Sequence, residues 1–410
     1  MSLNYSSKLT WLDHDQEARD RTLRILSLFQ EKESRDELGL GAIRDSFADQ
    51  LFPGTSTIQT RLRYMFFVPW IYLALENKKV PAGRFAVEAD ELERRLIPSL
   101  LVNDDRVGIF GKTAGKSLKR LPSSVYWSGL GTWGIKLVPY SQEEYHRRID
   151  EVYRSRDREK ESQRQKRESG DDLDHSRAFP FYSWHPRLPK PPETFPDQVD
   201  IALTKEEAEF ILDRLQAEHP DSLLSFLALN CEPVETDFPW QHPDMAKFTD
   251  NQKELLSHAR LFSETMHGAA ILYNYQLAEK AGNYDLIESH SFTFNEWASG
   301  LRIRHIKEWQ LKRLWEITNN QGYNITYSTQ HFVEKWINFT RSSPHSLIDN
   351  IEAKELVMNR EIRLKGSRSR FKNQRALDQW SGFAGMGRLT YRWPNVKRLL
   401  NDLYQGLQGE

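Results

Sequence analysis

Residues 39–76 read GLGAIRDSFADQLFPGTSTIQTRLRYMFFVPWIYLALE and are the densest run of apolar, aromatic and turn-forming side chains in the chain. A run like this must be buried, and its internal pattern dictates how. Ile43, Phe47 and Leu51 recur at four-residue spacing, so they share one face of a helix. Phe52-Pro53-Gly54 stops that helix, because proline cannot continue the ladder and glycine accepts a left-handed turn. Thr55 or Ser56 is then placed to cap a second helix. In that helix Ile58, Leu62, Phe66 and Phe67 face inward, Arg61 and Arg63 point elsewhere, and Pro69 kinks or ends it. The hairpin is either buried core or a helix–turn–helix of the kind that reads DNA. On the second reading Arg61 and Arg63 are nucleic-acid-binding candidates.

At 410 residues the chain exceeds one typical core, so two domains are expected. A formal net charge of -1 supplies no global field toward polyanions, so any such binding must come from local patches. The single cysteine, Cys231, excludes an internal disulfide framework and a cysteine zinc site. No signal pattern opens the sequence, and no apolar run approaches the roughly 20 residues that span a bilayer. A cytoplasmic location without membrane contact is expected.

Residues 13–33 predict a helix capped by Asp13 or Asp15, and residues 88–101 another that ends near Pro98. Residues 104–119, DDRVGIFGKTAGKSLK, invite a phosphate-loop reading, but Phe110 stands where the first glycine of the motif is required before Gly115-Lys116-Ser117. No cofactor is expected there. Residues 121–135 predict a short helix capped by Ser123 or Ser124, followed by a strand at Gly-Ile-Lys-Leu-Val; the pair is compatible with a winged-helix element or with an aromatic corner. Interleaved charges over 142–168 suit a solvated helix. A proline- and aromatic-rich connection covers 168–198, between an N-terminal domain, 1–167, and a C-terminal one, 199–410.

The second half has clear helical periodicity. Thr204 and Glu207 form a capping box, opening a helix with Ala208, Ile211, Leu212 and Leu215 inward. An Asp250 cap precedes a long helix with Leu255, Ala259, Phe262, Met266, Ala269, Tyr273 and Leu277 on one face, ended by Gly282. Residues 297–319 predict one helix with Arg302 and Arg304 on its surface; 328–340 predict another with Phe332, Trp336 and Phe339 inward, and 346–364 continue in helix. His258, His267, His290, His305 and His331 share no metal-ligand spacing, and no metal is expected. Asp349 with Glu352-Ala353-Lys354 matches half of a nuclease pattern, but the residues lie on a helix rather than at a strand end. The chain is expected to be mainly α with minor β.

The most informative polar segment is 360–375, REIRLKGSRSRFKNQR, in which a single acid, Glu361, stands among seven cations. Arg363, Lys365, Arg368, Arg370 and Lys372, with Arg302 and Arg304, are candidates for holding phosphates. A structural surface that pairs with acids elsewhere is the alternative.

Several phrases together, LGLGAIRDSFADQLFPGTSTIQTRLRYMFFVPWIY, LPSSVYWSGLGTWGI, REIRLKGSRSRFKN, ALDQW and YRW, resemble an uncharacterised bacterial family of about this length. The resemblance implies a gene neighbourhood of antiviral defence, beside helicases and nucleases. It carries no catalytic motif. The expected function is a non-catalytic nucleic-acid-binding or assembly component of such a system, with DNA or RNA and a helicase or nuclease as partners. A divergent nuclease and a purely protein-docking scaffold are the alternatives.

Overall fold

A computed structural model of the chain describes residues 36–168, 182–230, 232–319 and 322–409. Among the described residues are fifteen α-helices and no strand, so the chain is mainly α. The first seven helices are α1 (Gly41–Leu51), α2 (Tyr64–Asn77), α3 (Ala82–Leu101), α4 (Pro122–Thr132), α5 (Gln142–Glu168), α6 (Lys205–Glu218) and α7 (Leu223–Asn230). The other eight are α8 (Asp250–Ala281), α9 (Tyr284–Gly300), α10 (Ile303–Glu308), α11 (Leu311–Asn319), α12 (Tyr327–Ser342), α13 (Ile351–Lys365), α14 (Gln374–Asp378) and α15 (Trp393–Gln408). The helix expected over 13–33, residues 169–181 of the proline-rich segment and Cys231 lie outside the described residues. The chain forms two compact units: a first of Met1–Arg44 with His258–Leu389, and a second of Asp45–Ser257 with Thr390–Glu410.

The second unit is built on α2, whose residues from Tyr64 to Tyr72 are all buried, as a helix apolar on every side must be. It packs against α3 and α4, and Tyr72 meets the rings of Phe85, Trp127 and Tyr145. Pro69 neither ends nor stops α2, which runs on to Asn77, and α3 likewise passes Pro98 to Leu101. The turn before α2 is as read: Gly54 has φ +74°, and a Cβ there would meet Trp133 Nε1 at 2.4 Å. The helix does not begin at Thr55 or Ser56, however, and Ile58 is exposed. The backbone N–H groups of Thr60 and Arg61 donate to Tyr126 Oη at 2.9 and 3.1 Å, and that of Leu62 to Asp402 Oδ2 at 2.8 Å. These tertiary acceptors hold the segment out of helical register.

Arg61 and Arg63 therefore do not point away from the core but into it. Arg61 Nε donates to Asp402 Oδ1 and Oδ2 at 3.0 and 3.1 Å, and Nη1 to Asp105 Oδ2 at 2.6 Å. Burial opposes the charge on Arg61, yet Asp402 and Asp105 leave its pKa above the ordinary value. Burial lifts the Asp402 carboxyl, with Arg61 and the Leu62 N–H pulling it back. Arg63 Nη2 donates to Glu207 Oε1 at 2.8 Å. The other oxygen of Glu207 accepts from Thr204 N at 3.1 Å while Thr204 Oγ1 accepts from Glu207 N at 3.3 Å, so the expected capping box opens α6. At the far end of α2 the buried Glu76 takes Trp184 Nε1 at 2.8 Å and contacts Arg156 and Tyr145 of α5. The strand expected after α4 is reduced to one antiparallel bridge, Lys136 with Trp184.

Within the first unit, Ala259, Phe262, Met266, Ala269, Tyr273 and Leu277 of α8 are buried as read, and Gly282 turns the chain at φ +66°. Leu255, read on the same face, is only half-buried; its neighbour Leu256 is the buried one. The cap of α8 is Thr249 rather than Asp250, since Thr249 Oγ1 accepts from Gln252 N at 3.3 Å. The helix expected over 297–319 is broken into α10 and α11. Arg341 Nε takes the Ile306 carbonyl at 2.9 Å and its Nη2 the Trp309 carbonyl, acceptors that a continuous helix would use itself. Residues 346–364 are not one helix either: a 3₁₀ turn, Pro344–Ile348, precedes α13, which Asn350 caps through Ala353 N at 2.8 Å.

One buried acid in the second unit has no cation against it. Glu93 of α3 accepts from Ser123 N at 2.8 Å, in the first turn of α4, which starts at Pro122 without either serine as cap. Burial lifts its pKa to about 7, with Asp90 adding to the rise, Arg94 and Ser123 opposing it, and the Tyr72 hydroxyl nearby. An unfolded glutamate releases its proton near pH 4.5 and the folded one near 7, so the unfolded chain binds fewer protons between them. Stability should fall across that window by on the order of 3 kcal/mol and stay flat above it. In Glu93→Gln, which keeps an oxygen for Ser123 N, denaturant melts at pH 5 and pH 8 should lose that difference. Breaking the buried Arg61–Asp402 pair by Asp402→Ala should cost about 3–5 kcal/mol in the same measurement.

Candidate functional site

The cationic segment lies in the first unit, at the end of α13. Ala353, Val357, Arg360 and Glu361 form the buried face of that helix, and Gly366 ends it with φ +57°. The chain then makes a 3₁₀ turn, Gly366–Arg368, and Asn373 caps α14 through Ala376 N at 3.2 Å.

Glu361, the one acid of the segment, is fully buried and organises this turn. Its Oε1 accepts from Arg370 N at 3.0 Å and lies 3.4 Å from Lys365 Nζ, and its Oε2 accepts from Ser369 Oγ. Glu37 lies beside it, paired with Arg370 Nη1 at 2.8 Å and with Lys365. Tyr273 of α8 joins the two: its hydroxyl takes Arg370 Nη1 at 2.9 Å and stands 3.4 and 3.5 Å from Glu37 and Glu361. Burial raises the pKa of Tyr273, against the pull of Arg370, so the phenol stays protonated. Two carboxylates and two cations thus neutralise each other around one ring, as charges withdrawn from water require.

Arg360 is also spent inside. Its Nε donates to the Leu38 carbonyl at 2.8 Å and Nη2 to Thr329 Oγ1 at 2.8 Å, over the Phe332 ring; burial lowers its pKa. Gly39 is required opposite it, because a Cβ there would come within 2.6 Å of Arg360 Nη2.

The segment therefore separates its cations. Arg360, Lys365 and Arg370 turn inward, whereas Arg363, Arg368, Lys372 and Arg375 are exposed. Arg363 Nη1 donates to Ser328 Oγ at 3.2 Å, which brings it to the first turn of α12. Arg302 and Arg304 are exposed on a separate element, the start of α10, with Arg304 Nε on Glu308 at 3.1 Å. Arg61 and Arg63 are buried in the second unit on Asp402, Asp105 and Glu207. Lone Glu361 in a basic run was the sequence signal for the inward group; Glu37, far away in the chain, gave none.

The remaining motifs resolve plainly. In the glycine-rich loop the N–H groups of Lys112, Gly115 and Ser117 donate to the loop carbonyls of Ile109, Gly111 and Ala114, and that of Phe110 donates to Tyr64 Oη at 3.0 Å. Lys354 of the half nuclease pattern binds Glu279 at 3.1 Å. His258 Nδ1 takes Trp309 Nε1 at 3.0 Å, and His290 Nε2 meets the Gly382 carbonyl at 2.9 Å. Among the described residues no three His, Cys, Asp or Glu side chains gather as a metal would need, and no helix is long and apolar enough to cross a membrane.

Glu361→Ala should leave Lys365 and Arg370 without their partner and lower stability by about 3–5 kcal/mol. Arg368→Ala, an exposed change, should stay within about 0.5 kcal/mol in the same denaturation experiment.

The chain belongs to a family of unknown function (DUF6361), whose model matches residues 6–406. No curated protein and no solved structure matches it.

Proposed function

We propose that the protein binds nucleic acid, DNA or RNA, through the exposed cations of 363–375. In this reading it is a non-catalytic component of a bacterial antiviral defence assembly in which a helicase or nuclease partner carries the chemistry. The observation that supports it is the separation of charge described above: Arg368 and Lys372 face solvent on a turn held by buried Glu361, and Arg363 and Arg375 are exposed on the helices that flank it. A turn fixed in this way offers its guanidinium and ammonium groups without the entropy cost of ordering a loose loop. In a near-neutral chain no global charge steers polyanions, so their binding must come from local patches such as this one.

Contacts to phosphate are read through salt. Each should contribute about 0.9 to the slope of log affinity against log salt on duplex DNA, and about 0.7 on single strands. Changing Arg368 and Lys372 together to Ala should weaken binding and reduce that slope by roughly 2 on a duplex, with melting unchanged. Arg370→Ala is unsuited to this test, because Arg370 is internal and its loss would unfold the turn. If the wild-type protein binds neither DNA nor RNA at low salt, the reading falls and the patch is a protein-docking surface.

A further inference from the structure

Next to Arg363, the first turns of α12 carry side chains that the core does not use. Tyr327, His331 and Lys335 follow one another at four-residue spacing on its exposed side, away from buried Phe332, Val333 and Trp336. Tyr327 is 80% exposed, and its ring lies on the His331 imidazole at 5.9 Å between centroids and 18° between planes. A single exposed aromatic is ordinary. Two stacked rings that leave an outer face open to water, with cations beside them, are less so.

The cations are placed by contacts already described. Ser328, the neighbour of Tyr327, receives Arg363 Nη1 at 3.2 Å and Arg360 Nη1 at 3.3 Å, so Arg363 reaches over from α13 to the start of α12. Lys335 is exposed one turn beyond His331. Glu334, the one acid of α12, accepts from Trp315 Nε1 at 2.7 Å.

We propose that this surface takes single-stranded nucleic acid, with an unpaired base stacked on the open face of Tyr327 and the flanking phosphates on Arg363 and Lys335. The proposal rests on the nucleic-acid reading above and names the strand form. A flat ring pair extends naturally by one more flat ring, and the faces of bases are free for this only where they are unpaired. Duplex DNA shows its edges and backbone to a protein surface and would engage the cations alone. Stacking accepts any base, so little sequence preference is expected.

Fluorescence anisotropy with a labelled single-stranded DNA, the matching RNA, a blunt duplex and an abasic strand of equal length tests this. Wild-type protein should prefer the DNA or RNA single strand to the abasic strand, and the stronger of the two names the sugar. Tyr327→Ala should lose roughly tenfold in affinity for the base-bearing strand, keep its affinity for the abasic strand and keep its salt slope. Tyr327→Phe, which retains the ring, should bind as wild type. Equal wild-type affinity for base-bearing and abasic strands would overturn the stacking surface, as would wild-type binding by Tyr327→Ala. If in those cases Arg368→Ala with Lys372→Ala still weakens binding, the cationic reading stands alone. Absence of binding to every probe would remove both.

Discussion

A carboxylate taken out of water keeps its charge only where donors replace the water it lost, and the effective penalty otherwise is several kcal/mol. Each unit of this protein is tied together at such points. In the second unit Asp402 gathers Arg61 and the Leu62 N–H, Glu207 gathers Arg63, and Glu76 gathers Trp184, Arg156 and Tyr145. In the first, Glu37 and Glu361 gather Lys365, Arg370 and Ser369 around Tyr273. Apolar burial provides the bulk of the driving force, but it is non-directional. The ionic points decide which segment lies against which, because they tolerate little misplacement.

This division of labour separates structural charge from available charge. A basic run can be read as a binding surface only after the cations that fold the protein are set aside. In 360–375 the inward members are those whose side chains reach Glu37, Glu361 or the carbonyl of Leu38; the remainder are left for solvent or a ligand. The same separation removes Arg61 and Arg63 from any surface while leaving Arg302 and Arg304 outside.

What was legible in the sequence follows the range of the interaction concerned. The Thr204–Glu207 box, the turn at Gly54, the burial of 64–72 and the charged helix α5 all arise from residues a few positions apart, and all are found. The start of α2 was misplaced because its N–H groups are claimed by Tyr126 and by Asp402, which lies 340 positions from Leu62. The break between α10 and α11 escaped for the same reason, since Arg341 removes its carbonyls from a distance. Within the site, the cationic run was visible as composition, but its division was not, because Glu37 and Tyr273 come from elsewhere in the chain. Tyr327 was passed over as the flank of a helix; its spacing to His331 and Lys335 was the available signal.

Glu207 serves two elements with one side chain: Oε2 accepts from the Thr204 backbone at the start of α6, and Oε1 receives Arg63 just before α2. Neither element can then open by itself. Fraying of the first turn of α6 swings the carboxylate away from Arg63 and strands a buried guanidinium, and movement of the 61–63 segment takes away the anchor that keeps the cap in place. The two ends, distant in sequence, belong to one cooperative opening unit, and the slower-exchanging amides of either should report the free energy of unfolding them both.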